Sequence, residues 1–128
     1  MYEKKAVYTS DAPAPAGPYS QAIVTGSFVF VSGQLGITSS GELPESVTEQ
    51  AEAALNNMRS VLQAAGARMD DVVKTTVLLA DMNDFKAVNK LYADYFTEPF
   101  PARVAYQVAA LPLGAMVEIE AVARLKER

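Results

Sequence analysis

The sequence predicts an α+β fold, a mixed β-sheet with two amphipathic helices on one face. Two stretches, opening at Ser46 and at Asp81, repeat apolar residues at helical spacing, whereas the other patterned stretches alternate or are rich in β-branched and aromatic residues. The elements follow in the order β-β-β-α-β-α-β-β, the pattern of helices segregated to one side of a sheet. Two helices cannot cover both faces, and several strands keep apolar residues on the second face as well. That open face is expected to be buried against copies of the same chain.

The chain opens with a short β-like run, Ala6 to Thr9, then D-A-P-A-P-A-G-P from Asp11 to Pro18, where three prolines fix φ and withhold donors. This is an extended lead-in, followed at once by Tyr19. S-Q-A-I-V and F-V-F-V-S flank Thr25-Gly26-Ser27, a hairpin signal. The second run is apolar on both faces, with Phe28 and Phe30 on one and Val29 and Val31 on the other. Ser32-Gly33-Gln34 then breaks its character. A glycine there marks either a bulge or strand end, or a place where a ligand or another backbone comes close.

Ser46 and Glu49 form a capping box, and Val47, Ala51, Ala54, Leu55, Met58, Val61, Leu62 and Ala65 make the buried stripe of a first helix that Gly66 ends in the left-handed conformation. Glu49, Glu52, Asn56, Arg59 and Gln63 are its water-facing side. The strand from Val72 to Ala80 alternates Val73, Thr75, Val77 and Leu79 against Lys74, Thr76 and Leu78. Asp81 is expected to cap a second helix with the stripe Met82, Phe85, Val88, Tyr92, Tyr95 and Phe96. Asn89 falls on or beside that stripe. Its amide is either satisfied by backbone or reserved for a site. Pro99 and Pro101 are expected to stop the helix and launch the next strand.

In that strand Ala102, Val104, Tyr106 and Val108 alternate with Arg103, Ala105 and Gln107. After the connector A-A-L-P-L-G-A, the last strand turns Val117, Ile119, Ala121, Ala123 and Leu125 one way. Glu118 and Glu120 turn the other way, about 7 Å apart. A permanently charged, planar guanidinium near strand carboxylates is either an internal ion pair or an anion clamp.

Composition bounds the chemistry. The 128 residues suit one domain, taken as residues 1–128. A net charge of −4 lacks the electrostatic footprint of a general nucleic-acid binder. With no cysteine and no histidine, disulfides, thiolate metal sites and Ser-His or Cys-His catalysis are excluded. No basic, apolar leader pattern and no apolar run of ~20 residues is present, so a soluble, cytoplasmic protein without membrane contact is expected.

Four separated pieces, G-P-Y-S-Q-A at 17–22, S-G-Q at 32–34, D-M-N-D-F-K-A-V-N-K-L-Y at 81–92, and F-P-A-R with V-A-A-L-P and V-E-I-E-A-V-A in the last third, together resemble the RidA family, also called YjgF/YER057c/UK114. The resemblance runs over essentially the whole chain. It implies a chorismate-mutase-like α+β fold, a homotrimer with sites between subunits, and hydrolysis of reactive 2-imino acids such as 2-iminobutanoate and 2-iminopropanoate to 2-keto acids and ammonia, without a cofactor or a metal. On the same resemblance Arg103 holds the substrate carboxylate, and Glu118 handles the hydrolytic water. Tyr19, Ser32, Gly33 and Asn89 line the cleft. The chain departs from the family pattern at V-A-Y-Q, residues 104–107, where many members carry Ser-Cys after the arginine. Ala105 occupies the cysteine position and offers only its backbone carbonyl. A second reading is a non-catalytic trimer that binds 2-keto acids and regulates a partner.

Overall fold

A computed structural model describes residues 3–127. Six strands form one mixed sheet, β1 (Lys5–Val7), β2 (Ala22–Thr25), β3 (Phe28–Leu35), β4 (Val72–Leu79), β5 (Ala102–Gln107) and β6 (Val117–Arg124), with α1 (Val47–Ala64) and α2 (Phe85–Ala93) between them. Their spatial order is β1-β2-β3-β6-β4-β5. All neighbours are antiparallel except β4 and β5, which α2 joins as a crossover. The predicted fold class and element order are those observed. Among the described residues, no helix is long and apolar enough to cross a membrane.

The core lies between sheet and helices. Val29, Val31, Thr75, Val77, Leu79, Val117, Ile119, Ala121 and Ala123 face Ala51, Ala54, Leu55, Met58, Val61 and Leu62 of α1, and all of these are buried. Ser46 caps α1 by accepting from the Glu49 N–H at 3.1 Å, and Gly66 follows the helix at φ 86°. The Ser46 cap and the Gly66 end match the sequence expectation, but the capping box is incomplete, because the Glu49 carboxylate accepts from the Ser46 hydroxyl at 2.9 Å and not from its backbone N–H. Phe28 and Phe30 stand on the uncovered face, 43% and 46% exposed.

Several local expectations shift. β1 is Lys5–Val7 and not Ala6 to Thr9, because the Thr9 N–H is taken by the Gln21 side chain at 2.7 Å. Val73 does not join the buried face of β4. The register with β6 slips between Val72 and Lys74, and this bulge turns Val73 outward at 47% exposure. Met82 precedes α2 in a short 3-10 turn capped by Asp81, and stays exposed. α2 ends at Ala93, well before Pro99; Asp94 and Tyr95 form the turn that follows it, and Phe96 lies beyond that turn. Asn56 and Arg59 are exposed, as expected of the water-facing side of α1, and there the Tyr95 hydroxyl donates to Asn56 at 3.0 Å and Arg59 lies 4.9 Å from the Tyr95 ring centroid.

Three buried amides, unmarked by periodicity, pin the connections. Gln21 bonds the proline-rich lead-in through Thr9 and Pro13, Asn57 donates to the Leu35 and Ile37 carbonyls, and Gln50 joins Pro44 to Met116. Each fills the unmet donors and acceptors of irregular backbone that passes under cover. Beside Gln50 the chain leaving β3 comes so close that a Cβ on Gly36 would overlap the Gln50 carbonyl oxygen and lie 2.5 Å from its Cα. Backbone cannot yield there as a side chain can. Gly36→Ala is therefore expected to destabilise by roughly 3 kcal/mol, seen as a lower midpoint in urea unfolding; a wild-type midpoint would refute the close packing.

Candidate active site

The parallel ladder between β4 and β5 places Arg103. Its register partner is Thr75, which is buried against the helices, so Arg103 lies on the helix side of the sheet at the edge strand. Ala105 shares that side and packs its methyl against the core, whereas Val104 and Tyr106 stand on the uncovered face, 47% and 48% exposed.

α2 meets the arginine there. Asn89 Oδ1 accepts from Arg103 Nη1 at 2.7 Å. The guanidinium carbon lies 4.8 Å from the Tyr92 ring centroid and 5.4 Å from that of Phe85, within cation–π range of both. Phe85, Asn89 and Tyr92 are spaced i, i+4, i+7, which brings them to one helix face. Asn89 is thus satisfied by the arginine and not by backbone. Among the described residues no carboxylate lies within 4 Å of Arg103, so the internal ion pair left open by the sequence does not form within the protomer. Most of its five N–H donors remain for a ligand. They border a cavity of about 370 Å³ lined by Asn89, Tyr92, Ala93, Phe100, Pro101 and Arg103. A groove of about 420 Å³ between the proline-rich lead-in and α1 is larger, but no cationic side chain lines it.

A second group forms on the opposite face. Glu118 pairs with Leu35 on β3 and Leu78 on β4, and Leu78 pairs in turn with Tyr106. The half-buried carboxyl therefore stands in an apolar row. Burial in that row pushes its pKa above the ordinary carboxylate value, and the Glu120 charge two residues on raises it further. Beside it β3 bulges, with Ser32 and Gly33 lying between the pairs Val31–Ala121 and Gln34–Ile119 and opposing a single residue, Glu120. A Cβ on Gly33 would lie 2.9 Å from Cδ and Oε2 of Glu118, so the missing side chain is what lets the carboxylate rest on the strand. Ser32 Oγ donates to the Ser20 carbonyl at 2.6 Å, which commits its proton and leaves its oxygen as an acceptor. That bond ties the bulge to the segment of Tyr19, an exposed side chain whose hydroxyl accepts from the Ala16 N–H at 3.3 Å.

The candidates thus fall into two groups, Arg103 with Asn89 and Ala105, and Glu118 with Gly33, Ser32 and the Tyr19 segment. On β4 the partner of Arg103 is Thr75 and that of Glu118 is Leu78, an odd separation that puts the two side chains on opposite faces. Two strand spacings, roughly 10 Å, also separate their strands. One protomer does not bring them together. Phe85, Tyr92, Phe100 and Pro101 were not expected at the site. The helical spacing of the first two with Asn89 was the signal available for them.

Comparison with known proteins points one way. The family model described as Endoribonuclease L-PSP matches residues 9–125. A 2-iminobutanoate/2-iminopropanoate deaminase of Mus musculus is 55% identical over 122 residues, which cover 94% of this chain and 90% of that protein. The crystal structure of RidA from an Antarctic Psychrobacter bacterium is similar with a TM-score of 0.92 at 43% identity, covering 94% of this chain and 99% of that one. That of E. coli TdcF with bound serine gives 0.91 at 39% identity, over 96% and 100%.

The environment of Glu118 has a measurable consequence. A carboxyl whose pKa is raised by folding contributes stability that is complete below its unfolded pKa and is lost as pH rises through the folded one. Glu118→Gln, which stays neutral, is expected to unfold at higher urea than wild type at pH 7, with the gap closing by about pH 3. Equal midpoints at both pH values would contradict a desolvated carboxylate.

Proposed function

The chain belongs to the RidA (YjgF/YER057c/UK114) family, and from that premise we propose that it hydrolyses reactive 2-imino acids, 2-iminobutanoate and 2-iminopropanoate among them, to 2-keto acids and ammonia. The observation that carries this reading is Arg103, held by Asn89 and two aromatic rings, without a carboxylate partner among the described residues, and bordering a cavity. That is the arrangement of a carboxylate clamp: a planar fork, oriented before the ligand arrives.

The substrate needs little more. Protonated on nitrogen, its C2 is already electrophilic. Glu118 takes a proton from water as the oxygen adds to C2, giving a carbinolamine. It then returns that proton to nitrogen, the C–N bond breaks with its electrons leaving on ammonia, and the remaining hydroxyl passes its proton through the Glu118 carboxylate to ammonia, leaving the keto oxygen and ammonium. The raised pKa of Glu118 suits a group that must both accept and return a proton. Ala105 contributes its backbone carbonyl where many relatives carry a thiol, and no step of this route calls for one. Neither does any step need a cofactor or metal. The endoribonuclease name of the family model does not fit this chain in our reading, because a net charge of −4 and the absence of histidine suit neither a polyanion nor its cleavage.

Because Arg103 and Glu118 lie on opposite faces, we place the working site between subunits of a homotrimer, Arg103, Asn89 and Ala105 from one copy and Glu118, Gly33, Ser32 and Tyr19 from the next. The apolar residues left uncovered on the open face, Phe28, Phe30, Val104 and Tyr106, support such burial.

Two measurements test this. In an assay coupled to an imine-generating dehydratase, Arg103→Ala and Glu118→Gln are each expected to lose about 10²- to 10⁴-fold in rate, and full activity in Arg103→Ala ends the proposal. Co-expressing the two variants tests the shared site. In a cyclic trimer each mixed assembly rebuilds one complete site, so random mixing returns about a quarter of wild-type activity. No recovery from verified mixed trimers would mean that both residues act within one subunit.

A further inference from the structure

Beneath the carboxylate clamp lies a side chain that no step of the reaction uses. We propose that Tyr92 is a positioning residue, fixing the plane of the Arg103 guanidinium so that it meets the substrate carboxylate with both prongs, and that Thr75 fixes Tyr92 in turn. This deepens the reading of Arg103 as the clamp and rests on it.

Tyr92 is 5% exposed and packs its ring on Phe96, with centroids 4.6 Å apart, while the Arg103 guanidinium carbon lies 4.8 Å from its own ring centroid. Its hydroxyl sits 2.7 Å from Oγ1 of Thr75, itself 1% exposed. Thr75 is also the register partner of Arg103. The ring under the guanidinium is therefore tied to the strand position beside the arginine's own backbone, which closes a circuit from β4 through α2 to the side chain on β5. Phe85 also underlies the guanidinium, but it has no polar tether.

The hydroxyl pair is not needed to fill space. A valine and a phenylalanine would occupy the same volume and bury no polar atoms, and replacing both partners of a buried hydrogen bond by apolar groups of like shape is close to neutral for stability. What the pair supplies is orientation. Arginine has several rotatable bonds, and a two-pronged bond to a carboxylate requires the fork to be coplanar with its ligand. Asn89 grips one nitrogen, and the tethered ring sets the plane. The phenol hydroxyl is paired with the Thr75 hydroxyl in the core, so Tyr92 acts through Arg103 and its hydroxyl does not reach the substrate.

The test uses 2-ketobutyrate binding by calorimetry and 2-iminobutanoate turnover, on the assembled protein, for wild type, Arg103→Ala, Tyr92→Phe and the double variant Thr75→Val/Tyr92→Phe. The double variant is expected to melt within about 8 °C of wild type. Its 2-ketobutyrate Kd and its KM are expected to rise together by about 3- to 30-fold, with a smaller change in kcat. Tyr92→Phe alone moves the same way. A double variant that folds and keeps wild-type Kd and KM overturns the positioning role while leaving the clamp intact. Equal 2-ketobutyrate binding by wild type and Arg103→Ala overturns the clamp reading, and this inference with it.

Discussion

The register of three neighbouring strands, β6, β4 and β5, governs what the site can be. β4 is paired on both edges, antiparallel to β6 and parallel to β5, and its residues 75 to 79 carry partners on each side. Through those pairs Thr75 sends Arg103 toward the helices, and Leu78 sends Glu118 to the opposite face. A slip of one residue on either edge would reverse one of the two, since side chains alternate with a period of two. The burial of Val77 and Leu79 against Ile119 and Val117 is what forbids the slip. A cation and a carboxyl that would neutralise each other at close range are thereby kept apart inside the subunit.

That separation also sets the electrostatics. Arg103 is cushioned by aromatic faces and an amide, which stabilise a cation without cancelling its charge. Glu118 has the reverse environment, an apolar row and a like charge, which favour the protonated form. In a chain without histidine, burial first and the Glu120 charge second raise the pKa of this glutamate above the ordinary carboxylate value. Gly33 is part of the same device, because a β-carbon there would displace the carboxyl from its row.

Much of the remaining order comes from side-chain amides under loops. Gln21, Gln50 and Asn57 hold the lead-in, the stretch before α1 and the end of β3. Gln21 shapes the segment that carries Tyr19, and the Ser32 hydroxyl ties that segment to the bulge beside Glu118. Buried side-chain amides and one hydroxyl thus connect the loops to the candidate site.

From the sequence alone, the α+β class, the order of elements, the capping of α1 by Ser46, its end at Gly66 and the identity of the candidate residues could be read, because each depends on local chemistry: a period, a hydroxyl before a helix, a residue lacking Cβ. Val73 departed from its pattern because a bulge shifts parity without leaving a mark in composition, and the stripe of α2 overran the helix because Tyr95 and Phe96 stay packed on the core beyond its end. What only the tertiary structure decided was which residues share a face. Arg103 and Glu118 lie fifteen positions apart in a chain that reverses direction between them, and their relation passes through β4, a strand far earlier in the sequence. Register is a property of paired strands, fixed by the burial of their neighbours, and no single strand encodes it.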